Sequence, residues 1–173
     1  MKKQLVLSTL LLASACAFAG PLDGFIVNAG FSTSSAADTV TSAAASSQDS
    51  KTINLGAGYA MPFADGRAQV AVMGESVISI GGASTKSLGL SIQPGYYLSD
   101  DVVIYGKLGV VSEARTDDSL SGYTVGLGVK FLVAQSTYMG GEIEQVKFKQ
   151  PSSGNKYNLR DTRVSAKIGY IFE

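Results

Sequence analysis

Apolar and polar side chains alternate along short stretches of this chain, most clearly near its C-terminal end. In residues 161–172 every second position is apolar, from Val164 to Phe172. The positions between them carry Arg163, Lys167 and small residues. A period of two predicts a β-strand with one apolar and one polar face.

Seven further stretches show the same alternation, which brings the predicted strands to eight. Each spans about ten residues, the length that a tilted strand needs to cross a bilayer. The seven stretches are residues 24–31, 51–61, 67–76, 88–98, 102–111, 123–131 and 137–148.

The predicted connections alternate between long and short. Long ones lie near residues 32–50, 77–85, 113–121 and 149–160, and short ones near 62–66, 99–101 and 133–136. Outer-membrane barrels have short periplasmic turns and longer external loops. The sequence therefore predicts an all-β fold, an eight-stranded antiparallel up-and-down transmembrane β-barrel.

Three places disturb the pattern. Residues 32–50 are mostly Ser, Thr and Ala, which indicates a long loop without a core. Pro94 cannot donate to a ladder, so a bulge or distortion is expected there. In the seventh strand Val146 and Phe148 fall on the polar side, which a bulge near Gln145 or a strand end above the membrane would explain.

In a membrane barrel the apolar face meets lipid and the polar face lines the lumen. Aromatic residues of the apolar face lie near the strand ends, as expected for two interfacial girdles. These residues are Phe25, Phe31, Tyr59, Tyr96, Tyr123, Phe131, Tyr170 and Phe172.

The polar face carries charges among many glycines, which make room for long side chains inside a narrow barrel. We expect these charges to pair, because an unpaired buried charge is costly. The predicted lumen charge network is Arg67, Glu75, Lys107, Lys130, Glu142, Glu144, Arg163 and Lys167. Alternatively, these charged residues could line a path for protons or a solute through the lumen.

The N-terminal residues have the features of a secretory signal peptide: Lys2 and Lys3, an apolar run, and Ala17-Phe18-Ala19 before Gly20. Residues 1–19 are therefore predicted to be removed, leaving a domain of residues 20–173. Lipidation of Cys16, the single cysteine, is the alternative for this segment.

The composition of residues 20–173 excludes several classes. They contain no Cys, His or Trp, and 12 basic against 14 acidic residues. Disulfide scaffolds and nucleic-acid binding are not indicated. No metal, cofactor or catalytic constellation is apparent, so an enzyme is not expected.

The stretch PGYYLSDDVVIYGKLGV, followed by GYTVGLGVKF, resembles the small outer-membrane β-barrel family of opacity-type and OmpX-like proteins. This resemblance implies a location in the bacterial outer membrane and a monomeric barrel inserted by the barrel-insertion machinery with periplasmic chaperones. It also implies contact with lipid and lipopolysaccharide, and loops that bind host surface ligands. Lys167, Gly169 and Phe172 resemble the insertion signal, from which Glu173 departs.

The predicted function is therefore that of a non-enzymatic barrel whose exposed loops serve interaction, adhesion or envelope integrity. A narrow porin-like channel is one alternative, and a soluble lipocalin-like barrel is another. In the soluble barrel the apolar face would point inward around a ligand. The basic residues Lys147, Lys149, Lys156 and Arg160 suggest contact with lipopolysaccharide phosphates or, alternatively, with an acidic polysaccharide.

Overall fold

The computed structural model describes residues 22–39, 47–63, 66–80, 86–114, 119–149 and 158–172. The predicted signal peptide and Cys16 lie outside these residues, as do Lys156 and Glu173. The strands are β1 (Gly24–Thr39), β2 (Ser47–Phe63), β3 (Ala68–Ile80), β4 (Lys86–Ser99), β5 (Val102–Ala114), β6 (Ser119–Ala134), β7 (Thr137–Lys149) and β8 (Asn158–Phe172). None of the described residues forms a helix that is long and apolar enough to cross a membrane.

The eight strands form one closed antiparallel barrel in chain order, with β1 paired to β8. Following the paired residues from Phe25 around all strands returns to β1 at Ser35, ten residues further on. This stagger in eight strands corresponds to a strand tilt of about 40°. The predicted fold class is confirmed.

The two faces of the barrel have opposite chemistry. Large apolar side chains cover the outside, with Leu88, Leu127 and Phe63 each 67% exposed. Most of the charged and polar residues of the strands, among them Lys107, Glu142 and Arg163, are buried inside. The lipocalin alternative requires the reverse arrangement, so the structure argues against it.

Apolar side chains also fill both ends of the lumen. At the short-turn end, the turn-side layer consists of Leu22, Ile26, Ala60, Ala71, Met73, Val103, Tyr138 and Ile171. At the other end, the loop-side layer consists of Val111, Leu120, Val146 and Phe148. Val146 and Phe148 are therefore lumen residues, and the bulge predicted near Gln145 is wrong, because the pairing of β7 is regular there.

The strands extend further on the loop side than the alternation predicts. The predicted loop at residues 32–50 is the largest error, since β1 continues to Thr39 and β2 begins at Ser47. Inward hydroxyl groups stabilise this extension, with Ser34 and Ser50 bonded at 2.6 Å. Serine and threonine inside a barrel can pair with each other, so a sequence without a hydrophobic core still forms strands there.

At Pro94 the ladder is interrupted, because Gln93 and Pro94 have no paired residue in β5, but the register does not change. The register shift lies nearer the turn, between Tyr97 and Ser99. The turn after β2 contains Gly66 at φ 79°, a left-handed conformation that favours glycine.

Candidate functional site

The middle of the lumen holds a ring of four charges, which we call the lumen ring. Lys107 contacts Glu75 and lies 2.9 Å from Glu142, while Lys167 lies 2.8 Å from Glu75 and 2.9 Å from Glu142. The charges therefore alternate in sign around the ring. They come from β3, β5, β7 and β8, so the ring joins walls on different sides of the barrel.

Further polar groups surround the lumen ring. Tyr105 donates a hydrogen bond of 2.7 Å to Glu142 Oε2. Glu144 lies 2.7 Å from Lys107 and accepts a hydrogen bond of 3.0 Å from Thr124. These contacts satisfy the carboxylates on several sides, which a buried charge requires.

Arg163 extends the network towards the loop end. Its guanidinium lies 3.6 Å from Glu144 and 2.7 Å from Asp161. Asp161 is two residues from Arg163 on the same face of β8, and sequence reasoning did not include it in the network. Asp161 already lies within the predicted strand, and it has the same parity as Arg163 and Lys167, so the alternation of β8 could have placed this acid in the lumen.

Lys130 is inside the barrel but outside the ring. Its Nζ lies 4.8 Å from the centre of the Tyr105 ring and 5.7 Å from that of Tyr138. Within the described part of the chain this ammonium has no hydrogen-bond partner. It is therefore held by cation–π contacts between two aromatic rings.

Glycines position those two rings. A Cβ at Gly128 would lie 2.3 Å from the ring of Tyr105, and a Cβ at Gly169 would lie 2.3 Å from the ring of Tyr138. Each glycine is the direct cross-strand partner of its tyrosine. The rings can therefore lie flat over backbone only because these positions have no side chain.

Arg67 does not belong to the network, and this part of the sequence prediction is wrong. The residue lies in the turn before β3 and is exposed, outside the strand that the alternation assigned to it. The other seven predicted lumen charges, Glu75, Lys107, Lys130, Glu142, Glu144, Arg163 and Lys167, all lie inside the barrel.

A second polar cluster was missed because it begins in the region assigned to a loop. Ser32 bonds to Thr52, and Asn54 donates to Ser32 at 3.2 Å and to Ser165 at 3.4 Å. The cluster joins β1, β2 and β8 across the seam where the barrel closes. Residues 32–35 read Ser-Thr-Ser-Ser and show no alternation in composition, so only the parity continued from Asn28 and Gly30 could have placed Ser32 and Ser34 on the inner face.

The eight predicted girdle aromatics all lie on the outer face. At the seam Phe25 and Phe172 are 5.8 Å apart between ring centres, and Tyr170 and Phe172 are 4.8 Å apart. Phe63 also faces outward at the short-turn end, where sequence reasoning placed it in a turn. The outward girdle residues are Phe25, Phe31, Tyr59, Tyr96, Tyr123, Phe131, Tyr170 and Phe172.

The site has little capacity for ligand or metal chemistry. Oxygen atoms of Glu75, Glu142 and Glu144 lie within 4.8 Å of one another, a spacing that could suit a cation. Lys107 already contacts all three carboxylates. A cavity of about 20 Å³ beside Lys107 and Arg163 has room for one water molecule.

The geometry is that of a packed membrane barrel, and comparison with known proteins agrees. The family model for the outer membrane protein beta-barrel domain matches residues 5–172. The chain belongs to this family. A comparison with curated protein sequences gave no match.

Solved structures of other outer-membrane barrels superpose on this family member. Neisserial surface protein A is 16% identical, with 86% of this chain and 97% of that chain covered at a TM-score of 0.52. AlkL, an outer membrane protein studied in lipid bilayers, is 10% identical. The match covers 90% of this chain and 92% of AlkL, with a TM-score of 0.54. Ail of Yersinia pestis, in complex with the heparin analogue sucrose octasulfate, is 12% identical. The match covers 85% of this chain and 99% of Ail, with a TM-score of 0.50. At these identities the likeness shows the fold alone.

Proposed function

We propose that this outer-membrane barrel is a closed scaffold that acts through the surface it presents on the loop side, as an interaction or adhesion protein and not as a channel or an enzyme. The filled lumen carries this proposal. The turn-side layer, the lumen ring and the loop-side layer lie one after another along the barrel axis. An eight-stranded barrel has room only for side chains, so no wide path remains.

The β1–β2 hairpin is the best candidate for the interacting surface. Its strands, of 16 and 17 residues, are longer than the 13 residues of β3, β5 and β7. Ser47–Ser50 pair with residues 34–37 of β1, so the hairpin continues the barrel wall past the outward end of the lumen ring. Its backbone and hydroxyl groups would be available to a partner segment.

The test shortens this hairpin at its loop end, where it also removes the β1 partners of residues 158–161 of β8. Replacing residues 36–48 with Asn-Gly joins Ser35 to Asp49, a directly paired couple, through a two-residue turn. The matched control replaces residues 115–118 with Asn-Gly between the paired Ala114 and Ser119. Heat-modifiable migration on a gel checks that both variants fold.

Bacteria that produce each variant are then compared in host-cell binding and serum survival. We expect the β1–β2 variant to lose most of the binding conferred by the parent chain, and the control to retain it. Equal behaviour of the parent and the β1–β2 variant would refute a role for the hairpin.

The route to the membrane is part of the proposal. Residues 1–19 are removed on export, and residues 20–173 are inserted by the barrel-insertion machinery with periplasmic chaperones as a monomer without a cofactor. The apolar outer face supports a lipid environment, because soluble monomers rarely expose such large apolar surfaces. N-terminal sequencing of the outer-membrane form should begin at Gly20. A start at Cys16 with bound lipid would instead support the lipoprotein alternative.

A further inference from the structure

Two basic side chains lie directly opposite each other on the outside of the barrel. Lys147 of β7 is the register partner of Arg160 of β8. Their neighbours Val146 and Asp161 are buried in the lumen, so the alternation turns Lys147 and Arg160 outward. Side chains in this relation are about 5 Å apart at Cβ, and like charges there repel.

An aromatic residue completes the row on the next strand. Tyr123 of β6 is the register partner of Lys147, and the Lys147 ammonium lies 5.7 Å from the centre of its ring. We call Tyr123, Lys147 and Arg160 the basic row. Gln145 and Thr162, the adjacent outward positions towards the membrane centre, are neutral. The described outward neighbours of the row therefore supply no acid to separate the two positive charges.

The height of the row places it at the edge of the apolar band. Tyr123 lies eight residues along β6 from Phe131, and Arg160 lies ten residues along β8 from Tyr170. With a tilt of about 40°, these separations correspond to about 20 and 25 Å along the membrane normal. Phe131 and Tyr170 mark the periplasmic interface, and the band is about 25 Å tall. The basic row therefore lies at the headgroup level of the outer leaflet.

We propose that the basic row is a binding site for the phosphate group of an outer-leaflet lipid. A phosphate between Lys147 and Arg160 would replace their repulsion by two charge-assisted contacts, and an arginine guanidinium matches phosphate oxygens in a bidentate manner. Tyr123 would lie beside the sugar or glycerol part of the headgroup, as interfacial aromatics do. The site requires the membrane placement of the barrel and does not depend on the role of the β1–β2 hairpin.

The experiment measures retention of a phosphorylated lipid by the purified chain. Residues 20–173 are refolded in phosphatidylcholine nanodiscs that contain a minor fraction of bisphosphorylated lipid A. After transfer to neutral detergent, native mass spectrometry counts the lipid A molecules that stay bound. The variants are Lys147→Gln with Arg160→Gln, the charge-conserving Lys147→Arg, and a control with Lys51→Gln and Lys86→Gln.

The control removes the same net charge from the loop side of the barrel. Lys51 and Lys86 are exposed, and each faces neutral register partners, Thr33 and Ile80 for Lys51 and Ile78 and Ala114 for Lys86. A general electrostatic effect would lower retention equally in both double variants. Heat-modifiable migration confirms that each variant is folded before lipid is counted.

We expect the basic-row double variant to retain lipid A roughly tenfold less well, while Lys147→Arg and the control stay near the parent chain. Parent protein should lose the same preference when the lipid A phosphates are removed enzymatically, a comparison that needs no variant. Three results would overturn the site. Both double variants could lose lipid A equally, the basic-row variant could retain as much lipid A as the parent chain, or the parent chain could retain dephosphorylated lipid A equally well.

Discussion

The charges on the two sides of the barrel wall are arranged in opposite ways. Inside, Lys107 and Lys167 alternate with Glu75 and Glu142, so that each charge has partners of the other sign. Outside, two bases of the same sign face each other at the register pair Lys147–Arg160. The interior charges are neutralised by the protein itself, whereas the proposed lipid phosphate would neutralise the exterior pair. The interior therefore supports the fold, and the exterior is where binding is expected.

Removing one interior cation should have the largest effect. Lys107→Met leaves Glu75, Glu142 and Glu144 without the ammonium that contacts all three. We expect the free energy of unfolding to fall by about 3–5 kcal/mol. Urea unfolding of the barrel in lipid vesicles measures this change.

The matched exterior variant is Lys147→Met. Its charge is partly exposed and is opposed by another base, so we expect a change of less than about 1 kcal/mol. If Lys107→Met and Lys147→Met lowered the free energy of unfolding by similar amounts, the interior and exterior charges would not differ as described.

Interior and exterior glycines should also differ. Gly169→Ala would place a Cβ 2.3 Å from the Tyr138 ring, so we expect a loss of about 1–3 kcal/mol in the free energy of unfolding. Gly141→Ala lies on the outer face of the neighbouring strand, where the nearest atom is 3.9 Å away. This exterior variant should be neutral or slightly stabilising. The same urea titration distinguishes them, and a tolerated Gly169→Ala would mean that Tyr138 is not fixed by this glycine.

Replacing Lys130 should change the free energy of unfolding much less than replacing Lys107, although both side chains are buried. Lys130 contacts aromatic rings and has no hydrogen bond among the described residues, so Lys130→Met keeps most of its packing. We expect a change within about 1 kcal/mol, because an apolar group of similar shape replaces a costly buried charge. A loss as large as that of Lys107→Met would show that Lys130 neutralises the ring at a distance.

The smallest expected effect is a gain. Lys147→Glu creates an opposite-charge pair with Arg160 and should stabilise the barrel by about 0.2–1 kcal/mol in zwitterionic micelles. Lys86→Glu faces Ile78 and Ala114 and should change little. Destabilisation by Lys147→Glu under these conditions would mean that Lys147 and Arg160 do not repel each other.

Much of the architecture could be predicted because alternation is a local property. The side of the wall that Val164 or Lys167 faces depends only on the parity of its position in the strand. Which inward residues meet depends on the stagger of ten residues around the barrel, and the partners in the ring are far apart in sequence, as Lys167 and Glu75 show. Parity therefore predicts only that Lys107 and Lys130 both face the lumen. The register shows that Lys107 pairs with carboxylates and that Lys130 lies against aromatic rings.

The errors also have a physical origin. Ser32 and Ser34 resemble loop residues in composition, yet in a barrel lumen their hydroxyl groups pair across strands. Arg67 follows the parity of β3 but lies one residue before the strand begins, in the turn. Composition is a poor guide where the interior is polar, and parity is a poor guide at strand ends.

A single-channel recording decides whether the lumen is closed. Residues 20–173 refolded into a planar lipid bilayer should produce no stable open level in salt solution, because the two apolar layers and the lumen ring lie across the path. A variant with Glu75, Lys107, Glu142 and Lys167 all changed to Ala should also stay closed, because both apolar layers remain. A stable, reproducible conductance from the parent chain would contradict the closed barrel and favour the narrow channel.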